Sequence, residues 1–218
     1  MIDISRHREL INTETFGKTV HVIGCGAIGS WIALSLAKLG ISYIHVWDFD
    51  VIEEHNVPNQ VFGINHVGRP KTEVIKKIIE EQTTSKVKIH GKFTNQPLEG
   101  YVFLSVDSMS ERKRIFRDFI KLKPKIDLMI DVRMGLHSGM VYSIEPLRLT
   151  SVQYYMSTLY DDESSEISAC GHSLTVISSA LFLVGHALRQ FIQHYTGDEI
   201  HMETLLDMKF NNLMSNKN

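Results

Sequence analysis

Three glycines and an acid carry the first chemical signal. Gly24, Gly26 and Gly29 are spaced as G-x-G-x-x-G in the run Gly24-Cys25-Gly26-Ala27-Ile28-Gly29, and Asp48 lies nineteen positions after Gly29. Glycines so spaced permit a tight turn and let backbone N–H groups approach a phosphate, and an acid at that distance accepts from ribose hydroxyls. The competing reading is a tight turn with no ligand. Asp50, Asn56 and Asn59 follow in the stretch DFDVIEEHNVPNQVFG, and Arg69 and Lys71 come next. The two cations suit a phosphate and equally suit a solvated surface. Asp107 stands just past an apolar run, a place suited to a metal or the phosphate side of a nucleotide, or to a helix N-cap, for which Ser108 is equally suited.

These residues need elements to hold them. His21-Val22-Ile23 is short, apolar and β-branched, so it reads as a buried strand entering the glycine turn. Ile28, Ile32, Leu36 and Leu39 recur at helical spacing, and Gly40 supplies the stop. Ser42 to Trp47 reads as the next strand, delivering Asp48 into a loop that Pro58 keeps irregular. A helix is predicted over Lys71 to Gln82 behind Gly68-Arg69-Pro70, with Val74, Ile75, Ile78 and Ile79 on one face. Strands are predicted at Val87–His90 and Tyr101–Val106, the second almost wholly apolar as a central parallel strand should be.

A helix over Met109–Lys121 and a strand over Lys125–Arg133 come next, and Gly135–Gly139 turns into a hairpin partner at Met140–Ile144. Tyr160 to Ala169 is acidic and serine-rich, a loop closed by Cys170-Gly171-His172 ahead of a long helix over Leu174–His194. Met202 to Phe210 alternates like a strand and ends at Asn211-Asn212; Ser215–Asn218 is expected to fray, and Ile4–Phe16 to form a polar, helical lead-in. The alternation of strand and helix predicts an α/β fold: a Rossmann-like doubly wound, mostly parallel sheet with helices on both faces and a C-terminal antiparallel extension.

Composition narrows the classes. For 218 residues, one domain over 1–218 is the default, with 1–18 as lead-in and 160–170 as a crossover loop. A net charge of −2 gives no general attraction to nucleic acid or anionic membrane. Cys25 and Cys170 are the two cysteines; they form no C-x-x-C pair and no disulfide framework. The start MIDISRHREL is charged and lacks an apolar core, and the run Ala180–Val184 is too short to span a bilayer, so a cytoplasmic location is expected.

Taken together, GCGAIG, DFDVIEEHNVPNQ, GRPK, the strand ending SVDS, and Arg112 resemble the ThiF/MoeB/HesA family of ubiquitin-activating-like adenylating enzymes. The likeness runs from about Arg8 to the last strand. It implies ATP with magnesium, and adenylation of the C-terminal carboxylate of a small ubiquitin-like sulfur carrier or peptide. By the resemblance, Gly24, Gly26, Ala27 and Gly29 line the nucleotide, Asp48 holds the ribose with Asp50 and Asn56 close by, and Lys71 contacts phosphates. Asp107 positions magnesium. Arg8 resembles an arginine that reaches into the partner subunit's site, which implies a homodimer. Cys170 stands where some members carry a sulfur-transfer nucleophile; a small buried residue is the other reading.

Three departures stand out. The family's Asn-x-x-Arg-Gln is here Asn56-Val57-Pro58-Asn59-Gln60, so neutral Asn59 replaces a triphosphate clamp that Arg69 or Arg8 would have to supply. Ala27 replaces the second glycine of a doublet, and the zinc cysteines of many members are absent, so no structural zinc is expected. Two other functions use the same fingerprint: a degenerate ATP-binding scaffold, for which Asn59 speaks, and an NAD-dependent oxidoreductase, which Lys71 and Asp107 fit less well.

Overall fold

The computed structural model describes residues 3, 5–6, 9–12, 15–160 and 176–217. Its centre is a sheet in the order β3-β2-β1-β4-β5-β6-β7-β8. The first five strands are β1 (Val20–Ile23), β2 (Tyr43–Trp47), β3 (Lys86–His90), β4 (Gly100–Leu104) and β5 (Ile126–Met134), and they run parallel. β6 (Ser138–Ile144), β7 (His201–Asp207) and β8 (Asn212–Lys217) extend the sheet antiparallel. The doubly wound fold expected from the sequence is therefore present, antiparallel extension included.

The chain walks from β1 outward to β3, then returns to the other side of β1 as β4. β1 and β4 thus form the switch point, and their carboxyl ends splay their following loops apart into a crevice. The glycine turn follows β1 and Asp107 follows β4, so topology alone brings these two segments to one place.

Helices α1 (Gly29–Lys38), α2 (Lys71–Gln82) and α5 (Ile177–Thr196) cover one face, sharing a core with Val20, Val22, Ile44, Val46 and Phe103. The predicted apolar stripe of α2 is the one buried, since Val74, Ile75, Ile78 and Ile79 all face inward. Ile79 is fully buried, and truncating it to alanine would cost about 2–5 kcal/mol. Helices α3 (Met109–Ile115) and α4 (Leu149–Ser157) cover the opposite face over Leu104, Met129 and Tyr142. α3 runs on into a single π-helical segment, Phe116–Ile120.

Three readings need correction. The lead-in makes turns, not a helix, among its described residues. α4 was not assigned from sequence; it buries only Ser151, Val152 and Tyr155, too sparse a stripe to stand out. Ser215–Asn218 was expected to fray, yet Asn212–Lys217 is the edge strand β8, registered as Leu205↔Met214 and Leu206↔Leu213. Its own pattern is polar; the ladder with β7 supplies the order.

Candidate active site

The glycine turn is built by close contacts that only glycine allows. Gly24 adopts φ +91, and a Cβ there would lie 2.6 Å from the Ser105 carbonyl oxygen. Gly29 packs α1 against the turn so closely that a Cβ would sit 1.8 Å from the Gly24 oxygen. Gly26 differs from both: beyond its own chain neighbours, no atom of a described residue lies within 4 Å of where its Cβ would be. Two glycines are therefore used up by the fold, and the middle one faces open space. The N–H groups of Gly26, Ala27, Ile28 and Gly29 donate to no described residue, so the turn and the start of α1 present unsatisfied donors, the usual make-up of an anion site.

Ser105, which sequence reasoning passed over, ties the two sides of the crevice together. Its Oγ donates to the carbonyls of Gly24 at 2.9 Å and Ile23 at 3.3 Å, joining the end of β4 to the glycine turn. The signal was present in the SVDS string, where a hydroxyl ends an otherwise apolar strand.

Asp48 stands at the end of β2, half-buried, and braces the same turn. Its Oδ2 accepts the Cys25 N–H at 2.6 Å and its Oδ1 the Asp50 N–H at 2.8 Å. Each oxygen keeps a second lone pair for a ligand hydroxyl. Burial pushes this carboxyl up from its ordinary range, against the pull of the Asp50 N–H, Lys71 and the Cys25 N–H. Cys25 itself is buried, and burial pushes its thiol well up, so its part is its backbone N–H.

Lys71 opens α2 with its side chain only 8% exposed, and its Nζ meets Asp50 Oδ2 at 2.8 Å. The pair is reinforced by Lys71 N–H donating to the Asp50 carbonyl at 3.0 Å. An ammonium has three donors, so pairing with half-exposed Asp50 leaves two for a phosphate. Arg69 is exposed, held by its carbonyl, which accepts the Ile52 N–H at 2.9 Å.

Asn56 turns inward to its own loop, its Oδ1 accepting the Glu53 N–H at 3.0 Å. Asn59 is anchored to α1 through its carbonyl, which accepts Trp31 Nε1–H at 3.0 Å. Asp107 is exposed on the turn after β4 and makes no hydrogen bond among the described residues. The N-cap of α3 is Ser108, whose Oγ accepts the Glu111 N–H at 3.2 Å. The capping explanation for Asp107 therefore falls away. Arg8 and Cys170 lie outside the described residues.

Behind Asp107 sits a cluster of Arg112, Asp131, Arg133 and Tyr155, of which the sequence reading singled out only Arg112. The hint was two charged residues, Asp131 and Arg133, alternating on one face of a strand otherwise read as buried. Among the described residues no three His, Cys, Asp or Glu side chains converge on a metal position. No helix among them is long and apolar enough to cross a membrane.

Fold and crevice define a Rossmann-like α/β domain whose glycine turn, paired acids and lysine meet at the switch point. The chain belongs to the ThiF family, whose profile matches residues 13–123. Among curated relatives, it is 37% identical over 73 residues to a probable adenylyltransferase/sulfurtransferase, MoeZ, of Mycobacterium tuberculosis; the match covers 33% of this chain and 19% of MoeZ. It is 36% identical over 78 residues to tRNA threonylcarbamoyladenosine dehydratase 2 of Saccharomyces cerevisiae, covering 34% of this chain and 17% of that protein. The matched segments are thus less than a fifth of either relative. Among solved structures, Escherichia coli MccB with ATP superposes at a TM-score of 0.73 with 17% identity, over 96% of this chain and 66% of MccB. MccB, a microcin C7 biosynthetic enzyme, in complex with N-formylated MccA gives a TM-score of 0.75, with 17% identity over 96% of this chain and 67% of that one. That likeness is one of fold.

Proposed function

We propose that this chain adenylates the C-terminal carboxylate of a small ubiquitin-like carrier protein or peptide, using ATP and magnesium. The observation that carries the reading is the crevice itself: Gly26 faces open space on one wall and exposed Asp107, without a partner among the described residues, stands on the other, in a ThiF-family chain. A peptide acceptor is favoured by the fold likeness to MccB, which has been solved with MccA, and a carrier by relatives named adenylyltransferase and sulfurtransferase.

In this reading the phosphates lie on the N–H groups of Gly26, Ala27, Ile28 and Gly29, which donate to no described residue, and the ribose meets Asp48, with Asp50, Asn56 and Asn59 on the same loop. Lys71 and Arg69 face the phosphate charge. Asp107 fits magnesium, because that ion is usually held by one or two carboxylates together with substrate phosphates and water. When bound, the metal would polarise the phosphates and balance charge on departing pyrophosphate. A carboxylate oxygen of the acceptor attacks the α-phosphorus, the bond to the bridging oxygen breaks, and pyrophosphate leaves with its electron pair. The protein's share is to place these groups in line and stabilise the growing negative charge.

The whole of 1–218 is taken as one adenylating domain, cytoplasmic and working as a homodimer in which Arg8 completes the partner's site. A monomeric mass by light scattering, with ATP and magnesium present, would remove Arg8 from that role. Cys170 stays a candidate nucleophile in this scheme. ATP–pyrophosphate exchange with carriers encoded beside the gene tests the reaction; exchange that appears only with a carrier and magnesium is the expected result. A second reading, a scaffold that binds ATP without reacting, draws on Asn59 in place of the clamp arginine. It takes over if no carrier supports exchange and Asp107→Ala leaves magnesium-dependent ATP binding unchanged.

A further inference from the structure

We propose that Arg112, held by Asp131, is a positioning residue that fixes the aim of Asp107; the inference rests on the magnesium role given to Asp107 above. Asp131 is fully buried in β5. Its Oδ1 accepts Arg112 Nε–H at 2.8 Å, and its Oδ2 accepts Arg133 Nε–H and the Tyr155 hydroxyl, each at 2.9 Å. Arg112, only 3% exposed, then uses Nη2 to donate to the Val106 carbonyl at 2.7 Å and to the Val132 carbonyl at 3.3 Å. Val106 immediately precedes Asp107, so one guanidinium joins the buried carboxylate to the peptide that leads into Asp107.

On the other side of Asp107, Ser108 is fixed as the cap of α3. Asp107 is thus an exposed carboxylate between two backbone anchors. A carboxylate aimed this way does not have to be gathered from a mobile loop when a cation arrives.

Stability alone is a poor reason for such a cluster. Two buried guanidiniums surround one buried carboxylate, and desolvating each ion costs several kcal/mol. Well-packed apolar residues commonly do as well or better at holding two layers together. What apolar residues cannot do is bridge, with directed donors from α3, a carboxylate in β5 and a carbonyl just past the end of β4. Arginine can, because its planar fork offers separate donors in fixed directions, whereas a lysine ammonium is a single point charge. The second arm of the cluster works alike: Arg133 donates to the carbonyl and hydroxyl of Thr158, closing α4.

The test compares ATP affinity of the full chain by calorimetry in EDTA and in excess magnesium; the ratio is the magnesium gain. Arg112→Lys is expected to cut that gain about fivefold or more while metal-free ATP affinity stays within about twofold. In an Asp107→Ala background the same substitution should change nothing further, since the carboxylate it aims is gone. A purely structural role would instead lower both affinities, or add its loss to that of Asp107→Ala. Should Arg112→Lys not fold, as judged by circular dichroism, Asp131→Asn keeps the shape of the cluster and should cut the gain in the same sense. Retention of the full gain by whichever variant folds, or additivity in the double variant, overturns the inference alone. Absence of any magnesium gain in the unaltered protein overturns the reading of the site, and the inference with it.

Discussion

Gly26 and Gly29 lie three residues apart in one turn, yet replacing each with alanine should break different things. At Gly29 the new Cβ would lie 1.8 Å from the Gly24 oxygen, 2.6 Å from Ser105 Oγ and 2.9 Å from the Gly24 carbonyl carbon. Two of these are backbone atoms, and the third is hydrogen-bonded to that same Gly24 oxygen at 2.9 Å. The two Gly24 atoms cannot yield without moving the turn or α1. Overpacking of this kind costs about 1–3 kcal/mol, and the rigid neighbours put it at the upper end. At about 2–4 °C per kcal/mol for a chain this size, the melting temperature should fall by about 6–12 °C. At Gly26 nothing lies within 4 Å and φ is not positive, so Gly26→Ala should stay within about 0.5 kcal/mol of the parent stability. Its methyl group would instead fill the space a phosphate needs. Losing one charge-assisted hydrogen bond, worth about 1.5–3 kcal/mol, corresponds to roughly 10- to 150-fold weaker ATP binding. Scanning fluorimetry and calorimetry with magnesium-ATP read the two effects separately. Unchanged ATP affinity in Gly26→Ala would refute the phosphate cradle, and unchanged melting in Gly29→Ala would refute the packing argument.

Asp48→Asn keeps one acceptor but turns an NH2 toward the Cys25 or Asp50 N–H, and ATP binding should weaken by about 1–3 kcal/mol; unchanged calorimetric affinity would remove the ribose role. Asn59→Arg should leave pyrophosphate exchange unchanged or faster, and Asp107→Ala should abolish it, both read with the carrier that supports exchange. Acid should destabilise the protein through His21, His45 and His90. Burial, first of all, holds each below its usual value, His21 down to about 3. The unfolded chain therefore binds more protons below pH 6.5. For His21, stability that is complete above that pH should be lost toward pH 3, at up to about 1.4 kcal/mol per pH unit, and the half-buried His45 and His90 should add to the loss in the same direction. Urea melts at pH 7, 5 and 4 measure this, and a flat profile would contradict the burial of the trio.

The fold was legible wherever one residue class repeats with a clear period or a backbone demand is absolute. The glycine turn, the apolar strand Gly100–Leu104 and the stripe of Lys71–Gln82 are local statements, and the chain kept them. Among the described residues, the glycine turn, Asp48 and Asp107 were legible as one candidate site because the switch point gathers the ends of β1, β2 and β4. Their pairings were not. Lys71 with Asp50, Asp48 with the Cys25 N–H, and Arg112 with Asp131 join residues 21, 23 and 19 positions apart. No spacing rule chooses among such partners; the packed sheet does. The edge strand Asn212–Lys217 failed for a related reason, since its order comes from β7 and not from its own side chains.

One consequence of those pairings bears on the missing clamp. Asp48, Asp50 and Asp107 place three carboxylates around the described crevice against two cations, Lys71 and Arg69, and Lys71 is already paired with Asp50. A bare triphosphate entering here meets no excess of positive charge. Backbone N–H groups and the dipole of α1 help, but a helix end carries only about half a charge. In the proposed reaction the balance therefore has to come from magnesium on the Asp107 side and from an arginine supplied by another part of the assembly, the place given to Arg8. A neutral Asn59 is tolerable under that arrangement, because the deficit lies in charge and an asparagine beside the phosphates still donates a hydrogen bond. The same arrangement makes ATP binding depend on metal more steeply than it would in a site that kept its own clamp arginine.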